Sequence, residues 1–275
     1  LVLVIFIVAL SSILVVNLAY STTIAARQNA MVERALQAEY LLKSAVNFAR
    51  TLIKEDTSRE DGPQDLWGKF ADGTPIPTEL LGLKEPNIRV SLEIRPDDSK
   101  LKVTQVLSSP SSPPDTRWRA VFVRLFTELG FDNDQAETDQ SGLFPDKHFD
   151  ADELVSNLID YQDENLESEP SGVEEQVPEG RFANTWIRSL DELALIPGFS
   201  ANRIRKLYPF ITANGAGGRV NINFAPSLVI RALDENISEA QAQQIIEFRR
   251  SDEGPINFPP AQQEELSRFL SDQIY

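Results

Sequence analysis

The alternation of apolar and polar positions falls into three regimes, and the first of them governs the rest. Leu1 to Ala26 carries no charge, and within Leu1 to Tyr20 only Ser11, Ser12 and Asn17 interrupt a run of Leu, Val, Ile, Phe and Ala. About 20 such residues rise about 30 Å as a helix, enough to cross the core of a bilayer. Neither Gly nor Pro occurs before Gly62, so nothing breaks the helix after the apolar run. Beyond it, Met31, Ala35, Ala38, Leu42, Ala45, Ala49 and Leu52 recur at steps of four and three, which keeps them on one helical face. The pattern predicts one continuous helix to about residue 55, roughly 80 Å long, with its first half in lipid and its second half packed on a globular domain. Two other readings compete with this one. A signal peptide has an apolar core of only about 7–15 residues. A core helix without a charge over this length is rare in a water-soluble domain.

The second regime alternates with period two. After a Gly- and Pro-rich loop from Glu60 to Asn87, anchored by Trp67, Phe70, Leu80 and Leu81, the segment Asn87–Arg95 places Ile88, Val90, Leu92 and Ile94 on one face. Pro96-Asp97-Asp98-Ser99 reads as a turn, and Lys100–Leu107 as a returning strand with Leu101 and Val103 inward. A β-hairpin with one buried face is expected, covered by the Ala-rich stripe of the first helix.

Ser108 to Pro114 breaks the composition, and a helical regime comes next. Helices are predicted over Arg117–Leu129 and Asp152–Tyr161, and Ser189-Leu190-Asp191-Glu192 forms a capping box that opens a third. Ser200 caps Ala201–Tyr208, Pro226 starts a helix through Leu233, and Ser238 caps another through Arg250. Between them, Val220 and Ile222 alternate with Asn221 and Asn223, predicting a return to strand at Arg219–Asn223. Gly215-Ala216-Gly217-Gly218 reads as a turn, and Leu266–Tyr275 as a final amphipathic fragment. Expected domains are 1–22 (the transmembrane part of the first helix), 23–114 (helix and first strands), 115–212 (an all-helical insertion) and 213–275 (a return to the first domain).

Charge sharpens this picture. The net charge of −16 is concentrated between Phe131 and Leu195, where 18 Asp and Glu face only Lys147, Arg181 and Arg188. Such a cluster is a solvated surface, a disordered stretch or a cation site, and it opposes nucleic acid as a partner. The absence of Cys excludes disulfides and thiolate chemistry, and a single His, His148, excludes multi-His metal sites. No G-x-S-x-G, Walker, H-E-x-x-H or G-x-G-x-x-G motif is present, so no enzyme is expected. Asp160-Tyr161-Gln162-Asp163-Glu164-Asn165-Leu166-Glu167-Ser168-Glu169, followed by Gly172, Glu174 and Glu175, is the densest polar cluster. Calcium takes six to eight oxygens, and acids at a helix C-terminus call for a compensating cation. Neither this cluster nor Asp132-Asn133-Asp134 has EF-hand spacing, so a solvated acidic loop stays an open alternative. Two segments have the look of helix-hairpin-helix units, around Ile196-Pro197-Gly198-Phe199 and over Val220–Pro255. The second places Leu233-Asp234-Glu235-Asn236-Ile237 at its turn, and an acidic hairpin repels phosphate.

Four stretches together resemble the K-type minor pseudopilins of type II secretion systems. They are the apolar helix running into AxxAEYLLKSAVNFAR at 35–50, NLIDYQDEN at 157–165, SLDELALIPGF at 189–199, and GRVNINFAP with QIIEFRR at 218–226 and 244–250. The resemblance implies an α+β, pilin-like fold: a long N-terminal transmembrane helix packed on an antiparallel sheet, with a large all-helical insertion domain. It implies a single-pass protein of the bacterial inner membrane, processed by a prepilin peptidase, with its globular domain in the periplasm. The protein would sit at the pseudopilus tip with the I- and J-type minor pseudopilins, initiating assembly, serving export across the outer membrane and possessing a surface open to exported proteins. Calcium in the inserted domain is implied too, with Asp160, Asp163, Asn165, Glu167, Glu174 and Glu175 as candidate ligands. The family's C-terminal strands are not found before Tyr275, which suggests a fragment.

A physical argument agrees with the tip position. In pilin-like subunits an early carboxylate neutralises a neighbour's terminal ammonium within lipid, and here no acid precedes Glu33. A minor pilin of a type IV pilus and, from a different class, a helix-hairpin-helix DNA-binding competence protein are the alternatives.

Overall fold

Fifty-three consecutive residues, Val2–Lys54, form one helix, α1. The computed structural model describes residues 1–58, 61–77, 89–215 and 219–256. Leu80, Leu81, Asn87, Ile88, Ala216, Gly217, Gly218 and the fragment Leu266–Tyr275 lie outside the described residues, as does any closing strand after residue 256. Two compact units emerge: Leu1–Thr57 with Asp72–Ile94, and Ser58–Ala71 with Arg95–Tyr275.

In the first unit, α1 is the only helix among the described residues long and apolar enough to span a membrane. Hydroxyls within it are satisfied internally: Ser12 Oγ donates to the Val8 carbonyl at 2.8 Å and Thr23 Oγ1 to Ala19 at 2.7 Å. That is the arrangement lipid demands, since no water is there to take these bonds. Thr74–Ile76 (β1) pairs antiparallel with Val90–Leu92 (β2), with Pro75 opposite Ser91. β2 packs on α1. Ala45 is the one buried residue of the helix, and Leu41, Phe48, Ala49 and Leu52 around it are half-buried. The stripe is therefore covered only at its distal end; Met31 and Leu42 are exposed.

Among the described residues, the hairpin expected between 87–95 and 100–107 does not form. β2 takes its partner from upstream, and Leu101–Lys102 (β3) pairs in parallel with Ile211–Thr212 (β4). Leu101 and Val103 are fully buried, as their alternation indicated, but in the helical core. After Lys102 the chain tightens into a 3₁₀ turn, Val103–Val106, which points Val103 and Val106 the same way and lets Gln105 Oε1 accept from the Lys102 amide. The strand predicted at Arg219–Asn223 is likewise absent. Its backbone bonds elsewhere: the Arg249 guanidinium donates to the Ile222 and Ala225 carbonyls, the Asn221 amide donates to the Asp98 carbonyl, and the Asn223 amide donates to Asn221 Oδ1, while the Asn223 side chain exchanges two hydrogen bonds with the Ile256 backbone.

The second unit holds the main core. α2 (Thr116–Glu128) packs on α3 (Ala151–Asp160) and on α5 (Ser227–Leu233), which in turn packs on α6 (Glu239–Arg250). α4 (Ala201–Leu207) follows a 3₁₀ helix, Leu190–Leu195, whose Ser189–Glu192 capping box closes as predicted. Phe126 sits at the centre, with ring centroids of Phe131 at 5.5 Å and Phe199 at 5.9 Å. The Ser- and Pro-rich run at 108–114 lies inside this unit.

Candidate cation site

The site grows out of the end of α3. Asp150 caps the helix in a box with Glu153, while Leu154, Val155, Leu158 and Ile159 bury its apolar face. That anchorage fixes the last turn and directs Asp160 inward. One turn further on, Asp163 faces the same way. The chain then loops back: the Glu169 amide donates to Asp160 Oδ1 at 2.8 Å, and Glu174 opens a short 3₁₀ turn beside it. Asp160, Asp163 and Glu174 are 0%, 2% and 7% exposed, which is extreme for acids.

Gly172 makes this approach feasible. A Cβ there would lie 2.0 Å from Asp160 Oδ2, so only glycine lets the loop close on that carboxyl. A third strand of chain completes the surround. Asn184, at φ +46°, donates from Nδ2 to Glu174 Oε1 and to the Asn165 carbonyl, both at 3.2 Å.

Four buried oxygens of this region have no hydrogen-bond partner: Asp160 Oδ2, Asp163 Oδ1, Glu174 Oε2 and Asn184 Oδ1. All four are acceptors. Burial pushes the Asp160 carboxyl up to about 6, with Glu169 adding repulsion. Asp163 rises to about 7, through burial first and then the charges of Asp160 and Glu169. Glu174 rises to about 7 for the same reason, with Asp160 and Asp163 as its repelling neighbours. Three buried carboxyls, an orphaned amide oxygen and a helix C-terminus make a strongly negative pocket. Its unmet chemistry is that of oxygen ligands for a hard cation.

Of the six residues singled out from sequence, Asp160, Asp163 and Glu174 are buried and near enough to repel one another; among the described residues, the three carboxylates whose oxygens all lie within 4.8 Å of one another are those of Asp56, Asp61 and Asp65, on a more exposed loop. Asn165 sits at the rim: its Nδ2 donates to Asp163 Oδ2 at 2.8 Å and its Oδ1 accepts the Glu167 amide at 2.7 Å. Glu167 and Glu175 are exposed and take no place beside the three buried carboxyls. Glu169 and Gly172 belong to the acidic cluster read from sequence without being among its six candidate ligands, whereas Asn184 was missed altogether. Asn184 left only a weak signal, as a residue type that tolerates positive φ.

The two other candidate features of the sequence are occupied by internal bonds. Asp134 pairs with the fully buried Arg203, whose Nε reaches Asp134 Oδ2 at 3.0 Å, and Asp132 accepts the Ala151 amide. The hairpin glycine Gly198, at φ +87°, donates its amide to Asp139 Oδ1 at 3.0 Å. A carboxylate therefore already stands where a phosphate would have to dock.

Comparisons with known proteins agree on one family. Two family models, both described as type II secretion system (T2SS), protein K, match residues 99–216 and 220–258, together more than half of the chain. No match is found among curated proteins. Among solved structures, the fold is similar to a chain in the crystal structure of the GspK–GspI–GspJ complex from the enterotoxigenic Escherichia coli type 2 secretion system. That match has a TM-score of 0.56 and 15% identity, and covers 90% of this chain and 82% of the other.

Proposed function

The chain belongs to the protein K family of type II secretion systems, the minor pseudopilins of that apparatus, and on that premise we propose that it caps the pseudopilus as a non-catalytic tip subunit. It is anchored in the bacterial inner membrane by the first part of α1 and carries its second unit in the periplasm. There it assembles with I- and J-type minor pseudopilins, initiates the filament and serves protein export.

The observation that carries this reading is the uncharged stretch of α1. It is long and apolar enough to span a membrane, and the protein K models match the residues that follow it, 99–216 and 220–258. Reconstitution tests the proposal: mixed with I- and J-type partners in detergent, the chain is expected to elute as a ternary complex. Separate elution at micromolar concentrations would reject it.

We further propose that the pocket at the end of α3 binds calcium. Asp160, Asp163 and Glu174 would hold it, with the Asn184 amide oxygen beside them; their orphaned oxygens are of the type a hard cation takes. The ion supplies positive charge that relieves three mutually repelling carboxylates. Two of the six sequence candidates, Glu167 and Glu175, have no part in this set, and Asn165 acts by orienting Asp163. Calcium is expected to raise the melting temperature by several degrees over EDTA, by mass action on the folded state. Superimposable melting curves would refute a cation site.

A further inference from the structure

We propose that the cation pocket sets the position of Trp186 and Ile187, and with it the width of a second, open pocket on the surface of the same unit. This deepens the calcium reading and rests on it. The second pocket has a volume of about 440 Å³ and is walled by two stretches of chain, one with Lys102, Thr104, Gln105, Leu107 and Ser108 and one with Trp186 and Ile187, together with Ala213. Nothing in the pseudopilin reading uses it.

The two walls are joined by one side chain. Gln162 is fully buried, and its Nε2 donates to the Val103 carbonyl at 3.3 Å and the Leu158 carbonyl at 3.0 Å. Its Oε1 accepts the Ile187 amide at 3.5 Å. Val103 lies between the wall residues Lys102 and Thr104, so Gln162 ties both walls to the end of α3. It is also the residue immediately before Asp163. A cation that fixes the Asp163 carboxylate therefore fixes the backbone from which Gln162 reaches across.

A second tie runs through Asn184. Its amide donates to the Tyr161 carbonyl at 3.0 Å, and its side chain reaches Glu174. Tyr161 and Gln162 thus hold residues 184–187, while their neighbours Asp160 and Asp163 face the cation. Without the ion, repulsion among Asp160, Asp163 and Glu174 drives α3 and the 172–176 segment apart, and Asn184 bonds to both. With it, the left-handed backbone at Asn184 is locked and Trp186, two residues on, is held in the wall. The proposal is a mechanical coupling: the ion orders the strap that carries Trp186.

The full chain in detergent micelles, near neutral pH, provides the test. Calcium binding is followed by calorimetry, tryptophan emission is followed in parallel, and amide exchange is measured across 184–188 with calcium chloride or EDTA. The coupling predicts a calcium-dependent emission change that disappears in Trp186→Phe while the calorimetric affinity stays within about twofold. It also predicts that exchange at Asn184 and Ile187 slows by about tenfold or more on adding calcium. If calcium binds but exchange at these amides is unchanged, the coupling is wrong and the cation site stands. If calcium does not bind, both readings fall.

Discussion

Replacing Asp163 by Asn should stabilise the cation-free protein and, in the same stroke, abolish its response to calcium. A carboxyl whose folded pKa exceeds its unfolded one binds its proton more tightly when folded. It costs nothing below the unfolded pKa, and stability is lost as pH rises toward and through the folded pKa. For Asp163 the window runs from 3.8 to about 7, and the carboxyls of Asp160 and Glu174 move in the same direction. Each unit is worth about 1.4 kcal/mol, so ionising Asp163 in the folded state costs about 4 kcal/mol above pH 7. Removing one charge also relieves the other two, so the three effects do not simply add. For a unit of this size each kcal/mol moves the melting temperature by about 2–4 °C, which gives roughly 10 °C in all. Glu137 and Asp139 are shifted downward, by hydrogen bonds that favour their ionised forms; their stabilisation is lost only as pH falls through still more acidic values, outside the range that matters here. The assay is calorimetric melting from pH 5 to pH 8 in EDTA and in millimolar calcium. Wild type in EDTA should lose stability across that range and recover it with calcium. Asp163→Asn should show a flatter profile, melt higher than wild type at pH 8 in EDTA, and ignore calcium. A variant that melts lower than wild type at pH 8 in EDTA would refute the reasoning, because the carboxyl would then be stabilising without any cation.

Three further outcomes are expected from the same geometry. Gly172→Ala drives a methyl against Asp160 Oδ2, and should cost about 1–3 kcal/mol by urea unfolding and weaken calcium binding at least severalfold. Asp134→Ala leaves the Arg203 guanidinium buried without its counter-charge and should cost about 3–5 kcal/mol, measured by the same unfolding curves, with calcium affinity unchanged. Deleting residues 1–26 removes the uncharged segment, and should release the chain from the membrane fraction while leaving the near-ultraviolet spectrum of the second unit intact.

Helices were legible because their signals are local. Ser189 with Glu192, Ser200 and Ser238 announce their helices in the sequence and cap them in the structure. Strand pairing was not legible, because register depends on which distant segment supplies the partner. The alternation at Leu101 and Val103 correctly marked buried positions, but it did not say whether a sheet or a helical core would bury them. The candidate cation site divides along the same line. Asp160, Asp163 and Glu174 stand in one dense acidic cluster of the sequence, and the resemblance gave all three as candidate ligands. Asn184 enters from a segment ten residues beyond Glu174, brought there by a hydrogen bond to Tyr161 that no pattern encodes.

The exposed part of α1 bears on what the molecule is for. A lipid bilayer accounts for the apolar surface of its first twenty-odd residues, but not for the apolar positions beyond them. Val32, Leu36, Tyr40 and Leu42 are 59%, 49%, 69% and 64% exposed, and they lie past Arg27, the first charge in the chain. Apolar surface of this extent outside a membrane marks an interaction site. Its alternation with Ala35 and Ala38 leaves room for another helix to come close. Charged positions such as Arg34, Glu39 and Lys43 are interspersed, so the helix does not simply sink deeper into lipid; Lys43 and Glu39 pair with each other at 2.7 Å instead. A helix that is too polar for the bilayer and too apolar for water is accounted for by subunits packing along it. In a protein whose family builds a secretion pseudopilus, that requirement is met by assembly.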